Sequence, residues 1–115
     1  MLKFNNLYTV IICPPKALAS FERELSEKLK VSYSIISTDK TDINSRARFL
    51  VVSNTCMEKA TPIIVELSKS FKLIGIIDEA HQGLQSPTTK FYKQILMIRK
   101  LFQIMYYTTA TTCKN

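Results

Sequence analysis

Leu73-Ile74-Gly75-Ile76-Ile77-Asp78-Glu79-Ala80-His81 is the stretch on which the fold turns. Five apolar residues in a row, rich in isoleucine, suit a strand buried on both faces, as in a parallel sheet. The run stops abruptly at two carboxylates. Charge at the end of a buried strand is costly unless it is paired or bound to a metal. In parallel α/β sheets, sites form at the carboxyl ends of strands. Asp78 and Glu79 are therefore the first candidates for chemistry. Adjacent carboxylates can divide labour. One helps to hold a hydrated magnesium ion, which favours carboxylate and phosphate oxygens. The other orients, or takes a proton from, an attacking water. The plain structural alternative is a strand-to-helix turn with Asp78 as cap and His81 on the surface.

Working outward, four more apolar runs share this style, at residues 8–13, 31–36, 49–52 and 104–108. Helical patterns alternate with several of them. Residues 15–30 place Leu18, Phe21, Leu25 and Leu29 on one stripe, with Pro15 suited to a first turn. Residues 58–71 carry Ile63, Ile64, Leu67 and Phe71, and residues 88–102 carry Phe91, Ile95, Ile98 and Phe102. A polar connector spans residues 38–48. Strands interleaved with helices predict an α/β domain with a mostly parallel sheet. With 115 residues the chain suffices for one small domain with a core, not two.

Each strand end opens into polar chemistry. Pro14-Pro15-Lys16 follows the first run, Ser53-Asn54-Thr55 the third and Thr109-Ala110-Thr111-Thr112 the last. Charge is uneven too. Up to His81, eleven Lys/Arg face nine Asp/Glu. Beyond it stand five basic residues, Lys90, Lys93, Arg99, Lys100 and Lys114, and no acid. A one-sign segment suits a polyanionic partner, though a solvated basic helix face is the simpler account. Cys13, Cys56 and Cys113 form no CxxC pair, and there is one histidine, which disfavours a zinc site or a disulfide framework and fits reduced thiols. No apolar run approaches the roughly 20 residues of a membrane span. The run 7–13 followed by Ala17-Leu18-Ala19 faintly imitates a signal peptide, but Pro14-Pro15-Lys16 interrupts it.

In this order the motifs resemble the first RecA-like domain of superfamily 2 helicases, and within them the Swi/Snf-type DNA-translocating ATPases and their viral relatives. Ile11 to Leu18 followed by Phe21-Glu22-Arg23-Glu24 is similar to a strand ending in Cys-Pro before an aromatic-x-x-Glu helix, with Phe21 where Trp is usual. Ser53-Asn54-Thr55 resembles the hydroxyl-rich motif that touches the nucleic-acid backbone. Asp78-Glu79-Ala80-His81 resembles the Walker B motif in its DEAH form. Thr109 to Asn115 resembles Thr-Gly-Thr-Pro-x-x-Asn, with Ala110 and Thr112 departing from it.

The resemblance implies a three-layer RecA-like, P-loop NTPase-like fold, truncated at the N-terminus, with residues 1–115 a partial first domain. It implies that Asp78 holds Mg2+ through water and that Glu79 activates the attacking water. His81 would couple the site to Thr109 or Thr111, which also border the nucleotide. Lys16, Ser53, Asn54 and Thr55 would lie along a nucleic-acid backbone, DNA rather than RNA, with little base specificity. The P-loop signature Gly-x-x-x-x-Gly-Lys-Ser/Thr is not in the sequence; the glycines are Gly75 and Gly83. The expected partners are therefore nucleic acid, a P-loop segment and a second RecA-like domain, and no membrane. ATP and Mg2+ belong to the full-length parent, and the chain alone is expected to bind neither tightly. An intracellular place, in nucleus, cytoplasm, viral factory or virion, goes with this. The alternative is a non-catalytic ATPase-like module that binds nucleic acid or a partner.

Overall fold

The computed structural model describes residues 7–78 and 90–108. Six strands form one sheet: β1 (Leu7–Cys13), β2 (Ser34–Ile36), β3 (Thr41–Asp42), β4 (Phe49–Ser53), β5 (Lys72–Ile77) and β6 (Phe102–Tyr107), in the order β3-β2-β4-β1-β5-β6. All neighbours pair in parallel except β3, which runs antiparallel to β2. The mostly parallel α/β reading therefore holds.

The alternation of side chains along β1 explains the two layers of helices. Val10 and Ile12 point to one face, with Leu50, Val52, Leu73 and Ile77. There they meet α2 (Met57–Ser70), through Ala60 and Ile64, and α3 (Lys90–Arg99), through Ile95 and Ile98. Ile11 and Cys13 point to the other face, with Val51, and meet Leu25. Leu25 belongs to a helical stretch built from a 3-10 turn at Pro15–Ala17, α1 (Leu18–Arg23) and a π turn at Glu24–Lys28. The crossover from β1 to β2 runs one way along the sheet, and those from β4 to β5 to β6 run the other. Their helices consequently lie on opposite faces, as a single crossover hand requires.

Three departures from the sequence pattern have a clear physical cause. Residues 31–33 are not strand. The π turn closes with Leu29 N–H donating to Glu24 O at 3.0 Å, and Lys30 takes a left-handed φ of 53°. The chain then packs Val31 and Tyr33 against the α1 layer instead of pairing them. Phe102 is not the last residue of a helix but the first of β6, because its ring fills the space over Gly75, where a Cβ would stand 3.0 Å away. The polar connector contains β3: Ser37 N–H donates to Lys40 O at 2.8 Å, closing a hairpin too short to leave an apolar pattern.

Candidate nucleotide and nucleic-acid site

The carboxyl ends of β2, β4, β1, β5 and β6 share one rim of the sheet. Two strand spacings, about 10 Å, separate the end of β4 from the end of β5.

Asp78 follows β5 directly. Its N–H donates to Ile12 O at 2.8 Å, so the turn is tied to the neighbouring strand β1. Thr108, just past β6, reaches in from the other side. Its N–H donates to Ile77 O at 2.9 Å, and its hydroxyl donates to Asp78 Oδ1 at 2.9 Å. The half-buried carboxylate is thus aimed by a hydroxyl on the next strand. Sequence reasoning took Thr108 only as a strand end. The one available signal was its place at the end of an apolar run that pairs with β5.

Cys13, at the end of β1, lies on the other flank. Its thiol is fully buried and is pushed up to about 12, first by burial and then by the negative charge of Asp78. It stays protonated at neutral pH and is no nucleophile. Among the described residues no group of three or more His, Cys, Asp and Glu could cage a metal. A single hydrated carboxylate still suits Mg2+, which keeps several waters and takes its other ligands from phosphates. Asp78 fits that donor role. Glu79, His81, Thr109 and Thr111 lie outside the described residues.

The nucleic-acid candidates occupy the same rim. Lys16 is exposed in the 3-10 turn that Pro14-Pro15 opens after β1. Ser53 is buried, and its Oγ accepts from Thr55 N–H at 3.3 Å and pairs with Thr55 Oγ1 at 2.8 Å, capping the turn before α2. Asn54 and Thr55 reach the surface. Lys59, on the first turns of α2, was not singled out from sequence. Its Nζ donates to Ser37 O and to Thr41 Oγ1, both at 3.2 Å, and pins the β2–β3 hairpin at this rim.

No protein-family model matches the chain, and no curated protein does. Solved structures do match it. One is the SWI2/SNF2 ATPase core of Sulfolobus solfataricus in complex with dsDNA, with a TM-score of 0.62 and 18% identity over 89% of this chain and 20% of that one. The fold is RecA-like. In a RecA-like sheet the rim holding Asp78 and Thr108 is where the strands' carboxyl ends meet a ligand. Among the described residues no helix is long and apolar enough to cross a membrane.

Proposed function

We propose that this chain is part of an ATP-dependent helicase or translocase that moves on DNA, contributing the carboxylate half of the ATP site and a strip of backbone contacts. The observation that carries the proposal is the Thr108–Asp78 hydrogen bond between the ends of β5 and β6, in a sheet similar to that of a DNA-bound ATPase core. A carboxylate held at a strand end by a fixed hydroxyl is pre-oriented for a hydrated cation.

In this proposal Asp78 holds Mg2+ through water, and Glu79 takes the proton of the attacking water. Bound Mg2+ would neutralise developing phosphate charge. His81 links the site to Thr109 and Thr111. Lys16 contributes charge along the DNA backbone, with Asn54 and Thr55 beside it and Ser53 capping the turn that presents them. The phosphate-gripping P-loop and the second RecA-like domain come from outside these 115 residues. Isolated, the chain neither binds ATP tightly nor hydrolyses it. We place it in the DEAH-type, viral-related branch of such motors, inside the cell.

The test is Glu79→Gln in a motor that joins this chain to a P-loop segment and a second RecA-like domain. DNA-stimulated ATPase should fall by roughly 10²- to 10⁴-fold, the usual worth of a general base, with DNA binding retained. Unchanged hydrolysis would remove Glu79 from the chemistry. A second proposal, a non-catalytic module, is favoured by the acid-free stretch from Gln82 onward. Both readings expect DNA binding by the isolated chain that Mg-ATP leaves unchanged; this one alone expects no DNA-stimulated hydrolysis from the joined motor.

A further inference from the structure

The carboxyl ends of the strands bear Asp78; their amino ends bear the excess of positive charge. β2 follows Lys30, β4 follows Arg46 and Arg48, β5 begins on Lys72, and β6 follows Arg99 and Lys100. All of these side chains are exposed. Helix α2 adds Lys69 in its last turn. The acids at this end are Glu27 and Glu66, and Lys69 takes Glu66 at 3.6 Å. Among the described residues Lys30, Arg46, Lys72, Arg99 and Lys100 form no ion pair. At the other end Lys16, Lys40, Lys59 and Lys93 stand against Glu22, Asp39, Glu58 and Asp78, which leaves the described part of the rim close to balanced.

Helix dipoles account for part of this. α2 and α3 both end here, at Ser70 and Arg99. Each carboxyl terminus carries about half a negative charge, so the two offset about one of the four cations around them, Lys69, Lys72, Arg99 and Lys100. Arg46 and Arg48 follow no helix. They flank an open cavity of about 360 Å³ at the entries of β2 and β4, which Val31 and the exposed Ser32 also line. The Arg48 guanidinium stands 4.8 Å from the centre of the Phe71 ring. A guanidinium held face-on by a ring keeps its fork of donors in one plane. Neighbouring strands lie about 4.8 Å apart, so in the order β2-β4-β1-β5-β6 the row from Lys30 to Lys100 spans about 19 Å.

We propose that this row is a second nucleic-acid surface, which binds the phosphate backbone of a duplex at the opposite end of the sheet from Asp78. The two ends are the length of β5 apart, about 20 Å at about 3.3 Å per residue. Charge complementarity names the occupant. A duplex presents a phosphate about every 3.4 Å along each strand, so a row of this length meets several at once. Arginine forks grip phosphate oxygens in pairs, and the lysines add point charges. A protein partner would want an apolar centre depleted in lysine. A single strand would want exposed rings on which to stack its bases. The rings here are taken up by the fold: Phe71 lies under Arg48 and 5.3 Å from the Tyr8 ring, and Phe102 is buried.

Contacts confined to phosphates read no sequence, and their number sets the salt dependence. One neutralised phosphate for each of the entries to β2, β4, β5 and β6 gives an about 150-fold loss of affinity between about 50 and about 200 mM salt. Lys16 alone, at the rim, gives about 3.5-fold over the same range. The proposal does not rest on the ATPase reading. Neither Mg-ATP nor Glu79 enters it, and Lys16→Glu probes the rim without touching the row.

The test is fluorescence anisotropy of labelled duplex and single-stranded DNA of equal length, titrated with the 115-residue chain across salt. The expected result is tighter binding to the duplex. Joint replacement Arg46→Gln and Lys72→Gln should shrink the salt effect from about 150-fold to about 12-fold, since each lost cation removes about one unit of slope. Arg46→Lys, which keeps the charge, should leave the slope unchanged. Circular dichroism should not change, because both side chains are exposed. If the joint variant unfolds, the unaltered chain still decides: duplex should protect Lys30, Lys72 and Lys100 from chemical acetylation, read by mass spectrometry. An unchanged slope in a folded joint variant, or protection of Lys16 alone, would overturn the proposal and leave all binding to the rim. A preference for the single strand would overturn it as well. So would polyglutamate that competes as well as duplex per unit charge, which would give the row to an acidic polypeptide.

Discussion

The two edges of the sheet are finished differently. At one end, β3 is two residues long, exposed and polar, and its hairpin is held from both helix layers. Lys59 of α2 donates to Ser37 and Thr41, and Lys40 pairs with Glu22 of α1 at 3.4 Å, where Glu22 also accepts from the Tyr33 hydroxyl. At the other end, β6 is six residues long, uncharged and bare on its outer side among the described residues. Among the described residues, edge management is thus complete at β3 and incomplete at β6, beside Asp78 and Thr108.

That contrast can be broken first at Phe102. If apolar packing over Gly75 is what anchors β6, Phe102→Ala should cost about 3–5 kcal/mol. Amide exchange should then open β6 well before β2; equal loss across the sheet would remove the distinction between its halves.

The second probe sits on β1, between the halves. Burial, and after it the charge of Asp78, push the Cys13 thiol from an ordinary 9.0 up to about 12. A raised folded value means that this stability is fully present below pH 9 and is lost as pH climbs from about 9 to about 12. The loss amounts to up to about 4 kcal/mol by linkage. Tyr8 is also raised by burial and adds its own alkaline loss. Cys13→Ala should therefore flatten the fall in urea midpoint only in part. An identical alkaline profile in that variant would mean that the Cys13 thiol is not buried beside the charge of Asp78.

At the finished edge, smaller effects are expected. Lys59→Met removes one part-buried and one exposed hydrogen bond and should cost about 1 kcal/mol, with faster exchange confined to the Ser37–Lys40 turn. Lys30→Gly relieves a left-handed backbone at a residue with a Cβ and should stabilise by up to about 1 kcal/mol. A loss of stability there would show that the Lys30 side chain contributes contacts that outweigh the strain.

Much of this was legible in the sequence. The apolar runs of β1, β4 and β5 stand out because a strand covered on both faces has no polar side to blur it. Asp78 was legible for the converse reason, a charge where burial should end. β3 was not, because two exposed residues carry no periodicity and exist as strand only through the Ser37–Lys40 turn. Phe102 was misassigned to a helix because one apolar residue satisfies both periods, and only the missing Cβ of Gly75 makes the strand position fit. Thr108 was passed over because a hydroxyl at a strand end gains meaning only when the register of β5 and β6 brings it to Asp78. Lys59 looked like any lysine on an amphipathic helix.

The most direct test of the central claim is a duplex-DNA titration of the isolated chain across salt, with and without Mg-ATP. If the rim bearing Lys16, Asn54 and Thr55 tracks a DNA backbone, the one phosphate that Lys16 neutralises should weaken binding about 3.5-fold between about 50 and about 200 mM salt. Lys16→Glu should weaken it and flatten the slope, and Mg-ATP should leave it unchanged. No binding at low salt, or micromolar Mg-ATP affinity without a P-loop, would contradict the account.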